Sequence, residues 1–255
     1  ALSSAASDVY KRQLLNGGKS DSYAIVPDYY NGIVPKVVAK VGEKVKAGSV
    51  LMIDKNRPEI KFVSPVSGEV TAVNRGEKRK VLSVVVKPEA QIEYEDFGKK
   101  NVASLKREEV KEAILHAGMW PFIKQRPYDI VASPADEPRD IFVSAFYSAP
   151  LAPNFDFVVK GQEVDFQTGL DALAKLTDGK VYVGIRKGSS VSVKGVETVE
   201  VEGPHPAANV GVQINHIKPI NKGEVVWTVN PADVIVIGRL FNKGIADFSR
   251  LVVIT

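Results

Sequence analysis

KVVAKVGEKVKAGSVLMID (residues 36–54) and KFVSPVSGEVTAVNRGEKRKVLSVVVK (residues 61–87) decide how the first third of the chain folds. Gly42-Glu43-Lys44 in the first stretch returns as Gly76-Glu77-Lys78 in the second. Ser49-Val50-Leu51 returns as Ser83-Val84-Val85, at the same offset of 34 residues. Each half runs from a β-branched strand through a Gly-centred turn into a second apolar strand. Two such halves predict a small β sandwich with internal pseudo-two-fold symmetry. Its strands are expected at residues 34–41, 50–53, 61–63, 69–73 and 81–86, with Tyr23 to Val26 leading in. Gly42 to Lys44 and Ala47-Gly48 read as turns, and Gly68 as a turn glycine.

Working outward, the 255 residues suffice for two domains, and 44% hydrophobic with 25% charged residues is an ordinary globular composition. The longest apolar run, VIVI at 234–237, is far short of the roughly 20 residues a membrane helix needs. The chain start has no contiguous apolar core of a signal peptide. Cysteine is absent, which removes disulfides, thiolate metal sites, cysteine-ligated iron–sulfur clusters and cysteine nucleophiles from this chain. Net charge is +4 but uneven: residues 34–88 carry twelve Lys/Arg against five Asp/Glu. Arg75, Lys78, Arg79 and Lys80 crowd one turn. They read as a solvated strand edge blocked against pairing or as a docking face for anionic headgroups or an acidic partner. No aromatic residues interleave them, which argues against nucleic acid.

Residues 1–13 fit nothing downstream and read as an adapter-like scar, followed by loop to residue 22. The sandwich is assigned to 23–98, a polar linker to 99–103 and an α/β domain to 104–255. Ser104 is expected to cap a helix over 105–116 that stops at Gly118. Residues 141–146 form a continuous apolar strand of the buried kind. Phe166, Leu170, Leu173, Ala174 and Leu176 recur at helical spacing over 162–176. Strands follow at 181–185, 196–201 and 225–229, and Pro231 opens a helix through Phe241. A last strand at 250–255 has no terminator, so the chain is expected to be cut before a further domain. Strand, helix and strand with short joints predict βαβ crossovers.

No nucleophile triad or paired carboxylates stand out, and no G-x-G-x-x-G follows a strand. His116, His205 and His216 are not spaced as metal ligands. Gly203-Pro204-His205-Pro206 leaves the strand at 196–201 at its carboxyl end, where open α/β sheets bind ligands. With Trp227 nearby, it is the candidate ligand- or partner-facing loop. His205 could donate to a carbonyl oxygen or simply order the loop. Trp120, Phe122, Trp227 and Phe241 could line an apolar ring pocket or pack the core.

VGEKVKAGSVL followed by SPVSGEV resembles the biotinyl/lipoyl-type barrel-sandwich hybrid. Lipoyl carriers hold the modified lysine in an Asp-Lys-Ala turn. Here Asp54-Lys55 sits close to that place, but Asn56-Arg57-Pro58 follows, and the Met-Lys-Met of biotin carriers is missing. A carrier module is therefore the third reading. RGEKRKVLSVVVK, FIKQRPYD, FVSAF, FQTGLDALAKLT, GPHPAANVGVQINHI and VWTVNPADVIVIGRLF, in that order, closely resemble the A subunits of Na+-translocating NADH:quinone oxidoreductases.

That resemblance implies a peripheral, cytoplasmic-side component of a six-subunit bacterial membrane complex. Such a complex passes electrons from NADH to ubiquinone or menaquinone and exports Na+. It implies a Rossmann-like α/β domain related to the complex I flavin subunit, with a ubiquitin-like domain downstream. It also implies that flavins and iron–sulfur centres sit on other subunits, and that this chain has no catalytic residues or bound cofactor of its own. Quinone is implied as its possible ligand, and the B subunit, which carries the quinone site, as its neighbour. The second reading is a soluble subunit of an Rnf-type ferredoxin:NAD oxidoreductase, whose cysteine motifs lie further on.

Overall fold

The computed structural model describes residues 17–252. The proposed scar, and the last three residues of the expected final strand, lie outside them. The repeat puts equivalent segments into opposite sheets. β1 (Tyr23–Ile25), β2 (Pro35–Val37), β3 (Lys44–Val45), β4 (Val50–Asp54), β5 (Lys61–Val63), β6 (Gly68–Arg75) and β7 (Val81–Pro88) follow in order. They build a four-stranded sheet, β1-β7-β6-β3, and a three-stranded sheet, β2-β4-β5. In the first sheet Ala72 faces Val85 across β6 and β7. Their counterparts 34 residues earlier, Val38 and Leu51, meet through a 3.0 Å bond from the Val38 N–H to the Leu51 carbonyl. The sequence repeat is thus a repeat of strand register.

Alternation along β4, β6 and β7 sends Leu51, Val70, Val84 and Val86 inward to a core shared by both sheets. Gly68 is needed because a Cβ there would stand 1.9 Å from the Lys87 carbonyl oxygen. Two expectations change. The strand foreseen over residues 34–41 is only three residues long, because the N–H groups of Val38 and Ala39 both converge on the Leu51 carbonyl and end the ladder. Lys44, read as turn, pairs instead with Glu69.

The α/β domain contains α1 (Arg107–His116), β8 (Ile123–Arg126), β9 (Ile130–Val131), β10 (Ile141–Ser144), α2 (Phe155–Val158) and α3 (Glu163–Lys175). It continues with β11 (Val181–Arg186), β12 (Glu197–Val201), α4 (Val210–Ile217), β13 (Val226–Val229) and α5 (Pro231–Lys243). Its sheet runs β12-β11-β10-β13-β8-β9. The first four strands are parallel, and β8 and β9 add on antiparallel. All four residues of β10 and all four of β13 are buried, as central strands covered on both faces require.

α1 starts two residues later than expected. Ser104 belongs to a 3-10 turn and donates to the Asn101 carbonyl (2.8 Å), while the Lys106 N–H is held by the Glu109 carboxylate (2.7 Å). α5 has Asn230 as cap, Pro231 in its first turn and Gly244 at φ +71° as its stop. The short elements β3, β8, β9, α2 and α4 were not foreseen. Residues 250–252 are not strand.

The two domains share a core. Met52, Ile60 and Phe62 of the sandwich cluster with Val110, Ile114, Trp120 and Val131. Gly118 allows this, since a Cβ there would lie 2.4 Å from a Val63 methyl. The hairpin between β4 and β5 is clamped to the second domain. Asp54, fully buried, accepts from the Val34 and Asn56 N–H groups (3.2 Å each) and from Arg57 Nε (2.8 Å). Arg57 reaches on to the carbonyls of Val131 (3.2 Å) and Gly32 (3.1 Å). The polar stretch before the α/β domain also binds both sides. The Glu95 N–H meets the Ala47 carbonyl, and the Phe97 N–H meets that of Gly244.

Candidate functional site

Glu202, Gly203, Pro204 and His205 leave the carboxyl end of β12 and form one wall of an open cavity of about 700 Å3. The opposite wall is Phe146, Tyr147 and Ser148 after β10, with Arg186 at the end of β11. His205 is exposed, and its Nδ1 lies 3.1 Å from Ser148 Oγ. Ser148 Oγ accepts the Ala208 N–H (3.1 Å). Ser144 donates to the Ala208 carbonyl (2.7 Å), and Gln213 Nε2 donates to both Ser144 Oγ (2.9 Å) and the Ala207 carbonyl (3.2 Å). The loop is therefore tied to β10 by side chains as well as shaped by Pro204 and Pro206.

Trp227 does not belong with this loop. It is 2% exposed on β13, meets Trp120 edge-on at 5.4 Å and donates to Gln125 Oε1 (3.1 Å). It lines neither of the two large cavities. A central parallel strand buries both faces, so a β13 tryptophan becomes core. Trp120 and Phe241 are likewise core, and only Phe122 of the four aromatics reaches a large cavity.

Arg75, Lys78, Arg79 and Lys80 sit at the exposed β6–β7 turn, with Lys78 and Arg79 at φ +51° and +61°. Lys80 pairs with Asp28 at 2.7 Å, and Arg75 donates to the Arg79 carbonyl (3.2 Å). Lys78 and Arg79 make no side-chain ion pair among the described residues.

Sequence reasoning missed a second cavity. The parallel strands proceed outward from β10 to β11 and β12, and the chain then returns to lay β13 on β10's other side. Strand order reverses there, and crevices open at the carboxyl ends of such strands. A cavity of about 550 Å3 lies at that place, between Ser144 and Tyr147 on one side and Thr228 and Asn230 on the other. Lys124, Arg126, Asp233 and Arg250 line it with Tyr30 and Phe122.

Asp233, in the first turn of α5, is ion-paired to Arg250. Burial pushes its carboxyl up to about 6, against the pull of Arg250 and Lys124. Burial also lowers the Lys124 ammonium and raises the Tyr30 and Tyr147 hydroxyls. None of this was legible beforehand, because only the reversal of strand order brings β8, β13 and Arg250 together. Among the described residues no three His, Cys, Asp or Glu side chains gather as metal ligands, and no helix is long and apolar enough to cross a membrane.

Sandwich, clamp and strand-end clefts define a two-domain class: a barrel-sandwich hybrid docked on an α/β domain. Residues 5–89 match the family model of the NqrA N-terminal barrel-sandwich hybrid domain, and residues 105–246 that of the NqrA second alpha/beta domain. Relatives named as the A subunit of Na(+)-translocating NADH-quinone reductase include one from Neisseria meningitidis serogroup A, 38% identical over 90% of this chain and 52% of its own length. One from Vibrio atlanticus is 38% identical over 94% of this chain and 55% of its own, and one from Hahella chejuensis is 37% identical over the same shares. The chain belongs to the NqrA family, the A subunits of the Na+-translocating NADH-quinone reductases, and spans about half the length of the curated relatives it matches.

Proposed function

We propose that this chain works as the peripheral, cytoplasmic-side component of a bacterial Na+-translocating NADH:quinone reductase, seated against the membrane-embedded B subunit. The observation that carries the reading is the family match through both domains. In this reading the chain holds no flavin or iron–sulfur centre of its own, in keeping with its lack of cysteine. Its α/β domain is Rossmann-like in strand order, related in architecture to the flavin subunit of complex I. The exposed turn of Arg75, Lys78, Arg79 and Lys80 serves as the docking face for acidic partner groups or anionic headgroups.

The loop Gly203, Pro204, His205 and Pro206 faces the quinone. Ser148 Oγ lies within hydrogen-bond distance of Nδ1, and in the tautomer where that hydroxyl donates, the His205 Nε2–H is free to donate a hydrogen bond to a quinone carbonyl. One such bond adds about 1 kcal/mol. Ring burial therefore supplies most of the affinity, from Phe146, Tyr147 and Pro204 on this side and from the membrane component on the other.

Calorimetric titration with a short-chain ubiquinone tests this, on the chain alone and with the membrane subunits present. His205→Ala should weaken binding several-fold and leave the melting temperature unchanged. Equal affinities for wild type and variant would remove His205 from quinone binding. A chain that never co-purifies with the membrane subunits would remove the docking reading.

A further inference from the structure

The cavity where strand order reverses carries charges that its own residues leave unmatched. Lys124 and Arg126 are two apart on β8, so their side chains share one face, and both line the cavity. Gln125 between them turns the other way, to Trp227 and Asp136. Arg250 is neutralised by Asp233, but Lys124 and Arg126 are not neutralised in the same way. Lys124 Nζ stands over the Tyr30 ring at 5.0 Å and makes no ion pair among the described residues. Asp129 approaches Arg126 Nε to 3.3 Å but is half exposed and off the hydrogen-bonding direction. Arg126 Nε is buried and is the one such side-chain nitrogen or oxygen without a hydrogen-bond partner among the described residues.

Arg126 is also on the wrong end of a helix. Its Nη1 lies 3.5 Å from the point where a Gly211 side chain would begin, in the first turn of α4. A cation there opposes the helix dipole. The buried orphan Nε, the guanidinium at a positive helix end and the desolvated ammonium share one wall. An anion between them would relieve all three at once.

We propose that this cavity binds a phosphate monoester carrying a planar ring, of mononucleotide size, with Arg126 and Lys124 as its phosphate partners. An unpaired ammonium beside a guanidinium that only a half-exposed Asp129 approaches suits the roughly −1.5 to −2 charge of a phosphate monoester better than the single charge of a carboxylate. The guanidinium fork suits a phosphate's paired oxygens. Tyr30, Phe122 and Tyr147 supply ring surface beside the charges. The 550 Å3 falls inside the roughly 300–1,000 Å3 of small-ligand sites. Side chains do here what a glycine-rich phosphate loop does elsewhere. The site adjoins the His205 cavity and shares Phe146 and Tyr147 with it, but its charged residues are its own, so it stands whether or not that loop meets quinone.

Isothermal titration of the full chain with AMP, adenosine and inorganic phosphate decides it. AMP should bind saturably, at least about tenfold tighter than adenosine or phosphate, and more weakly as salt rises. Arg126→Gln and Lys124→Met should each weaken AMP by about ten- to a hundredfold, the usual cost of a charge-assisted bond. The Lys124 side chain makes no hydrogen bond among the described residues, so its variant decides the matter if Arg126→Gln proves unstable. No saturable AMP binding, or AMP binding unchanged in Lys124→Met, overturns the proposal. Phosphate binding as tightly as AMP overturns the assignment of a ring-bearing ligand.

Discussion

Gly238→Ala tests the packing that positions the reversal-point cavity. α3 and α5 cross at two glycines. A Cβ on Gly238 would stand 1.7 Å from the Asp165 carbonyl oxygen, and one on Gly169 would stand 2.0 Å from that of Val234. The obstacle in both cases is the partner helix's backbone, which cannot rotate away. Moving the first contact out from 1.7 Å to a tolerable 3.0 Å separates the helices by about 1.3 Å. Phe166, Leu170 and Leu173 on α3 and Val234, Ile237 and Phe241 on α5 are all buried.

A gap of about 0.5–1 Å already forfeits a quarter to a half of each dispersion well it opens, and this one is wider, so the loss is roughly 1 kcal/mol per side chain across one interface. Ala regains about 1 kcal/mol in helix propensity. The net expected loss is about 5 kcal/mol, or a fall in Tm on the order of 15 °C. Urea and thermal unfolding followed by circular dichroism measure it. Gly169→Ala should cost about as much. Because one separation of the helices relieves both collisions, the double variant should lose clearly less than the sum of the two. A Gly238→Ala protein as stable as wild type, or strict additivity, would refute the reasoning.

Two further outcomes follow from buried charge. Arg57→Ala should cost about 3 kcal/mol, since it strands the fully buried Asp54 carboxylate and cuts the bonds to Val131 and Gly32. Calorimetry should then show the sandwich and the α/β domain melting apart, and a single unchanged transition would count against the clamp. Asp233 binds its proton more tightly folded (about 6) than unfolded (3.8), so its contribution to stability is full below 3.8 and is lost as pH rises through 6. The loss is roughly 3 kcal/mol for a shift of about two units. The difference in unfolding free energy between wild type and Asp233→Asn should therefore move in favour of Asn between pH 4 and 7. A constant difference would show that Arg250 keeps the carboxylate charged throughout.

The sandwich was readable because its signals are local. The 34-residue repeat places Val38 with Leu51 and Ala72 with Val85, and the turn glycines lie between. β10, β11, β13, α3 and α5 were readable from apolar runs and helical spacing. β3, β8, β9, α2 and α4 were missed because they are short or polar and are held by long-range partners. Lys44 pairs with Glu69, and Lys124 with Thr228 across the sheet. The place of the His205 loop after β12 was readable because a strand's carboxyl end can be recognised in sequence. Trp227 was misjudged because nothing in VWTV tells a central strand from an edge. Lys124, Arg126, Asp233 and Arg250 could not be found, since they come from three separate segments joined only by strand order.

The clamp also bears on what the sandwich does. A carrier domain must present its lysine at a hairpin free to travel between active sites. Here the equivalent turn begins at Asp54, which is fully buried, and continues into Arg57, which is bonded to the Val131 carbonyl of the α/β domain. The Lys55 N–H is itself held by the Val34 carbonyl at 2.7 Å. Freeing the turn would expose a carboxylate and a guanidinium whose partners are each other and the neighbouring backbone, a cost of several kcal/mol. The two hydrophobic clusters follow the same division. Met52, Ile60 and Phe62 face the α/β core rather than the sandwich's own, and Leu51, Val70 and Val84 hold the sandwich together without them. One sheet of the sandwich is thereby spent on docking. The β6–β7 turn belongs to the other sheet, whose basic side chains stay in solvent. In this chain the carrier-type fold is fixed to the α/β domain on one side and bears exposed positive charge on the other.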